Sequence, residues 1–393
     1  MSETVHIPQL RFPEFSGEWE DGKLGNYGNL INGLTYSPDN IVDDGLLVLR
    51  SSNVQNGQIY LNDNVYVNLD VDDAALTKED DILICVRNGS KRLIGKSTII
   101  NKNLPKSTHG AFMTVFRGES NKFISHWFHS SIYYKEVHKN LGATINSING
   151  SNLKKFKTIF PLKPEQQKIA AFLTAVDNKI EQLSKKRELL DEYKKGLMQQ
   201  IFSQAVRFKA DDGSEFPDWE EKKLGDVSDC LDNRRQPLNG AERNQMKGDI
   251  PYYGANGIVD YVNDYIFDEE LVLLAEDGGN FNDFSSKPIA QKISGKAWVN
   301  NHAHILKAKN IIATDFLFYS LVHKDIRRYI VGGSRAKLNK SDLLSIKTIL
   351  PPLEEQTKIA NFLSSIDNKI EQVGKQLVES KQFKKALLQQ MFV

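Results

Sequence analysis

The chain repeats itself, and no other feature narrows its architecture as much. Asp177-Asn178-Lys179-Ile180-Glu181-Gln182 recurs letter for letter as Asp367-Asn368-Lys369-Ile370-Glu371-Gln372, an offset of 190 residues. The offset holds without a gap from Gly142, matching Gly332, to Phe202, matching Phe392. The starts match as well. Phe12-Pro13-Glu14 leads to Trp19 and Lys23-Leu24-Gly25, and Phe216-Pro217-Asp218 leads to Trp219 and Lys223-Leu224-Gly225. Between Gly25 and Gly142 the halves align poorly. Each half therefore reads as an entry motif, a variable globular stretch and a Leu/Lys-rich tail, and such self-similarity has to be explained before any local pattern.

The tails carry a helical period. In the first, Ile169, Val176, Leu183, Leu190 and Leu197 take one seam position and Leu173, Ile180, Arg187, Lys194 and Ile201 the other. In the second, Ile359, Ile366, Val373, Ser380 and Leu387 alternate with Leu363, Ile370, Leu377, Lys384 and Met391. Clean heptads that loosen toward each C-terminus predict a coiled-coil seam, which nominates Ile169, Leu173, Val176, Ile180, Leu183, Ile359, Leu363, Ile366, Ile370 and Val373 for helix pairing or partner binding. Tyr193, Phe202, Phe383 and Phe392 move to a neighbouring stripe that can pack on a globular domain or a partner. Pro161, Pro164, Pro351 and Pro352 mark the helix starts. A helix from Pro164 to Ser203 is roughly 60 Å long at 1.5 Å per residue. A narrow seam of that length needs a partner. A pseudo-twofold relation between the halves makes the tails antiparallel; packing of each tail on its own domain alone is the other arrangement open.

The globular stretches alternate short strands with Asn/Gly/Asp turns. Strands are expected at 46–50, 58–61, 81–86 and 97–100, and again at 257–262, 271–275, 297–299 and 304–307. Helices are expected near 122–139 and 314–331. The fold class is α+β: two mixed α/β domains, residues 1–158 and 210–348, separated by long helical regions, 159–209 and 349–393. Net charge is +1, which excludes a uniformly basic coat. Charge is nonetheless segregated: residues 1–86 carry 4 basic and 15 acidic side chains, and 87–158 carry 13 and 2. The pattern recurs, with 6 and 19 over 210–285 and 12 and 3 over 286–348. Either each domain has a cationic face or the two sections pair internally. Cys85 and Cys230 cannot make a disulfide framework, no signal-peptide pattern opens the chain, and no apolar run approaches the ~20 residues of a membrane helix. A cytoplasmic chain without membrane association is expected.

Catalytic motifs are few. Gly89 to Ser97 resembles a phosphate loop, but five residues separate its glycines where a Walker A loop has four. It is a good phosphate-backbone contact all the same, which nominates Arg87, Asn88, Ser90, Lys91 and Arg92 for DNA binding. Thr144 and Asn146, with Arg335 and Lys337 at the matching place in the second half, extend that set. Tyr252 and Tyr253 offer stacking rings, and Asn256, Asn301 and His302 offer polar edges suited to base reading. His302 and His304 share a strand face and could hold a metal, but no cluster of zinc spacing accompanies them. No catalytic residue and no metal site is assigned.

These residues resemble the specificity subunit of type I restriction-modification systems. The paired entry motifs, the paired tails of Pro-x-x-x-Glu-Gln-x-Lys-Ile-Ala-x-Phe-Leu type ending in Asp-Asn-Lys-Ile, Tyr252-Tyr253 with Asn256, and Asn301-His302-Ala303 carry the likeness over almost the whole chain. The resemblance implies two target-recognition domains, each reading one half of a split, asymmetric double-stranded DNA site, with antiparallel helices setting the spacer. It implies a non-catalytic subunit that recruits two methyltransferase and two restriction/translocase subunits. S-adenosylmethionine, ATP and Mg2+ then act on those partners and this chain binds none. The outer faces of the tails, with Lys185, Lys186, Lys194 and Lys195, are expected to dock them. Two other readings stay open on the residues alone: a repeated adaptor that binds proteins, and a metal-dependent enzyme using His302 and His304.

Overall fold

The computed structural model describes residues 6–141, 146–333 and 336–393. The chain divides into two compact units, one of Met1–Lys185 with Gly374–Val393 and one of Lys186–Val373. Each unit thus combines a globular domain, the early part of one tail helix and the late part of the other.

In the first unit the central strand Ile82–Cys85 is buried at every residue. It lies between Met113–Arg117 and Ser97–Ile99, and Asn29–Asn32 completes the antiparallel sheet. Successive side chains on a strand point to opposite faces. Ile82 and Ile84 accordingly join a cluster with Trp127, Leu173 and Phe392, and Leu83 and Cys85 join one with Leu47, Leu49 and Val115. A strand covered on both faces reads as a continuous apolar run, which is why it was visible in sequence. The second unit repeats the plan. Leu271–Ala275 lies between Ala303–Ala308 and Ala290–Ile293, with Ser228–Cys230 at the edge. Val272 and Leu274 pack with Met198, Phe316 and Leu363, and Leu271 and Leu273 with Phe267, Ala297 and Val299. The α+β class with two repeated domains stands.

The tails are single helices, Lys163–Phe202 of 40 residues and Leu353–Gln390 of 38. Of the seam residues, Ile169, Leu173, Leu183, Ile359, Leu363, Ile366 and Val373 are buried, Val176, Ile180 and Ile370 half-buried, and Arg187 exposed. In the first unit Asp177 meets Lys384 at 2.5 Å, and Trp19 touches both Glu165 and Phe392. Moving forward along one segment moves backward along the other, so the two run antiparallel. In the second unit Lys194 meets Asp367 at 2.5 Å. The two ion pairs are repeats of one another at the 190-residue offset, with the roles of the helices exchanged. Lys194 is therefore turned inward, and the expectation of an outer-face lysine fails there because Asp367 and the Tyr319 ring, 5.2 Å away, hold it. Phe202 and Phe392 do pack on a domain, against Phe316 and Phe123 respectively, whereas Tyr193 and Phe383 stay exposed.

A buried glutamate opens each tail. Arg11 grips Glu165 with two hydrogen bonds of 2.8 and 2.7 Å, and the Trp19 indole donates a third at 3.3 Å. Arg207 and Trp219 do the same to Glu355. The following Gln166 and Gln356 donate to the carbonyls of Pro161 and Pro351. A carboxylate taken out of water needs such partners. This corrects the alignment of the entry motifs. Phe12 meets Phe172 edge-on at 5.7 Å and lies under Lys168, whereas in the second unit Phe208 meets Phe362 and Phe216 lies under Lys358. One phenylalanine's two roles are split because residues 209–215 form an inserted turn, closed by the Lys209–Glu215 bridge.

Two helical stretches are shorter than their patterns suggest. Residues 122–139 form two helices, Asn121–Trp127 and Ser131–Asn140, because the Ser130 side chain accepts from the Tyr133 amide and caps a new start. The helix at Thr314–Leu321 ends early, and Ile330–Val331 is a strand paired with Lys337–Leu338. Replacing Phe392 by Ala removes a ring that touches Trp19 and Phe123. It should destabilise the first unit by about 3 kcal/mol, read as faster amide hydrogen exchange along Ile82–Cys85 than in the unsubstituted protein.

Candidate nucleic-acid interface

In each unit the loops that leave the central strand gather the polar residues singled out in sequence. In the first unit Cys85 pairs with Met113, and the Val86 amide then donates to the Phe112 carbonyl at 3.0 Å. The next residue, Arg87, is exposed and lies over the Phe112 ring at 5.6 Å. Asn88 is tied down, its side chain donating to Ser51 and its amide to the Asn146 carbonyl. Asn146 returns a bond to the Gly89 carbonyl. Ser90, Lys91 and Arg92 follow on the exposed surface, with Lys91–Leu93 in one 3-10 turn. Thus Arg87, Asn88, Ser90, Lys91, Arg92 and Asn146 form one patch. Thr144 lies outside the described residues, as does Arg335 in the second half.

In the second unit a cleft of about 640 Å3 is lined by residues from four segments, among them Arg243, Tyr252, Asn256, Gly278, Asn301 and His302. Tyr252, Asn256, Asn301 and His302 are therefore brought together in one cleft. Their roles differ from those expected from sequence. Tyr252 is buried, its hydroxyl receiving the Leu238 amide, so it forms a wall and not a free stacking ring. Tyr253 points to the opposite strand face, packs with the cluster around Phe267 and Val299, and takes no part in the cleft. Asn256 donates to the Gly278 carbonyl at 2.8 Å. Lys337 sits on a paired strand, and its ammonium is neutralised by Glu276 at 3.0 Å.

Asp277 and Glu276 were not among the site residues assigned from sequence. Glu276 lies between Arg235, Lys337 and His304, and its amide donates to the His302 carbonyl at 2.8 Å. Asp277 bonds the His302 ring Nδ1 at 2.5 Å. Gly278 takes φ +63 directly after, a left-handed turn that glycine favours. The signal available in sequence was the acidic pair at the end of an apolar strand, which demands cationic partners.

The two histidines do not form a metal pair. His302 is bound to Asp277 at the cleft, while His304 is buried, its Nδ1 against Asp232 at 2.6 Å and its Nε2 against the Leu338 carbonyl at 2.8 Å. Burial disfavours the charged ring. The bonds to Asp232, Cys230 and the Leu338 carbonyl outweigh that and raise its pKa to about 9. His304 instead meets Cys230 and Asp232, and the three side chains, whose ligand atoms all lie within 4.8 Å of one another, form a cluster able to hold a metal ion that the sequence spacing did not show.

Charge pairing differs between the units. In the second, Lys292, Lys307, Lys309 and Lys347 of the basic section pair with Glu270, Glu269, Asp229 and Glu221 of the acidic one. Internal pairing accounts for much of its segregation. In the first unit Arg117 pairs with Asp81 and Lys122 with Asp80. Arg87, Lys91 and Arg92 make no ion pair among the described residues.

The model of the type I restriction modification DNA specificity domain matches residues 16–191 and again 217–380. The chain belongs to this family. A putative type I specificity subunit of Methanocaldococcus jannaschii is 28% identical, the match covering 95% of this chain and 93% of that protein. A putative specificity subunit of Haemophilus influenzae is 38% identical over 39% of this chain and 38% of its own length. The fold is that of a type I S subunit from M. genitalium, at TM-score 0.67 and 18% identity over 98% of this chain and 99% of the other. The repeated match coincides with the repeated scaffold. No helix among the described residues is long and apolar enough to cross a membrane.

The raised pKa of His304 has a stability consequence. Its contribution is complete below the unfolded value near 6.5 and is lost as pH rises through about 9. The unsubstituted protein should lose on the order of 2 kcal/mol more than His304→Gln between pH 6.5 and 9.5, measured as the difference between their urea midpoints.

Proposed function

We propose that this chain is the specificity subunit of a type I restriction-modification complex and that each unit is a target-recognition domain for one half of a bipartite, asymmetric double-stranded DNA site. The observation that carries the reading is one scaffold built twice with different loops at the same strand ends. The first unit presents unpaired cations suited to phosphate, and the second a polar cleft suited to base edges. Different loops on equal scaffolds favour two different half-sites.

The tail helices set the spacer and dock two methyltransferase subunits. The support lies in Tyr193 and Phe383, 55% and 54% exposed, which are repeats of one another at the 190-residue offset. Two equivalent exposed aromatics suit two copies of one partner, since aromatic anchors dominate binding surfaces. Two restriction/translocase subunits complete the assembly. The chain itself is non-catalytic, and S-adenosylmethionine, ATP and Mg2+ serve the partners. Its place of work is the cytoplasm.

Exchange of residues 216–348 for the corresponding domain of another family member should change one half of the methylated motif and leave the other intact. Long-read methylome sequencing with partner subunits co-expressed reads this directly, and alteration of both halves would refute modular recognition. Four residues inserted into the first tail should lengthen the spacer with both half-sites unchanged; the same sequencing, with an unaltered spacer, would refute the ruler role.

A further inference from the structure

Strand pairing gives the two units one equivalent position each. Cys85 opposite Met113 corresponds to Ala275 opposite Ala303. In each unit the next amide donates to the residue preceding the partner strand: Val86 to Phe112 at 3.0 Å and Glu276 to His302 at 2.8 Å. One residue further on stand Arg87 and Asp277. The side chains at these matched places form a pair in both units, Arg87 over the Phe112 ring and Asp277 bonded to the His302 ring. Phe112 is 56% exposed, and the His302 side chain 46%. Exposed rings on rigid strand ends have no part in either core.

We infer that Arg87–Phe112 and Asp277–His302 are the specificity-determining pairs of the two units, each specifying one base pair of its half-site; the inference rests on the DNA-reading function proposed above. The chemistry follows from the pairs. The Arg87 guanidinium carbon lies 5.6 Å from the Phe112 ring centroid and its N–H groups have no hydrogen-bond partner among the described residues, so they can donate bidentately to guanine O6 and N7. In the second unit the Asp277 carboxylate can only accept, so Nδ1 of His302 carries the proton. In the neutral ring Nε2, which has no partner among the described residues, then accepts from an exocyclic amino group, N6 of adenine or N4 of cytosine. Asp277 is a positioning residue that selects this tautomer. Its own loop is held by the Glu276 ion pairs and by Asn256 on the Gly278 carbonyl.

The test is methylome sequencing of the full complex carrying Arg87→Ala, His302→Ala, Asp277→Ala or Asp277→Asn. Arg87→Ala should relax one guanine-bearing position in one half-site. His302→Ala and Asp277→Ala should relax the same single position in the other half, discrimination falling by roughly 10- to 100-fold. Asp277→Asn, whose amide oxygen still accepts from Nδ1, should keep the original motif. A purely structural role would lower methylation of the whole site with the motif unchanged, and that result would overturn the inference while leaving the proposed function standing; relaxation scattered over both halves would overturn the inference and the modular recognition it rests on. Absence of any sequence-specific methylation by the unsubstituted complex would overturn both.

Discussion

A buried carboxylate at the first turn of each tail helix holds each unit together. Glu165 and Glu355 are 3% and 0% exposed, and each is satisfied by one arginine fork and one indole from the entry segment. Removing a partner from such a pair leaves an uncompensated charge, at a cost of about 3–5 kcal/mol. The clamp therefore fixes where the entry segment crosses the helix start. That places Trp19 against Phe123 and Phe392, and Trp219 against Phe316. The end of the other tail then completes the core of the domain: Leu387 and Leu388 of the helix with Met391 and Phe392 just beyond it in the first unit, Met198 and Ile201 in the second.

A second pair of repeated contacts sets register. Asp177 with Lys384 and Asp367 with Lys194 are partly buried ion pairs with the same geometry. Their surroundings have diverged. Tyr319 donates to Asp367 at 2.6 Å, whereas His126 faces Asp177 at 3.7 Å. Burial and the nearby Lys384 ammonium hold the His126 pKa down at about 3, so its ring is neutral and the second contact is not an ion pair. The repeat preserved the carboxylate–ammonium pair and varied the third member, as expected where the pair carries the register.

The outer ends of the sheets vary most. The same backbone bond presents an arginine on a phenylalanine in one unit and an aspartate on a histidine in the other. Loops placed by a rigid scaffold are where binding residues concentrate. The near-zero net charge is consistent with this division, because one basic section is largely neutralised within its own unit while the other keeps free cations at its loop.

Much of this was legible in sequence. The exact repeat of Asp177–Gln182 and the heptad period of the tails identified the duplication and the long helices, since periodicity survives any packing arrangement. Ile82–Cys85 and Leu271–Ala275 were visible as strands because strands buried on both faces are apolar throughout. Asn256, Asn301 and His302 were visible as polar punctuation beside such strands. What the sequence by itself determined is therefore the repeat, the helices and the core strands. Only the tertiary structure decided that Tyr253 turns away from the cleft, that Arg11 and Arg207 are clamp residues, that Lys194 faces inward, and that Asp277 holds His302. Each of these depends on contacts between residues far apart in the chain, and no local pattern encodes which distant partner a charge or ring will meet.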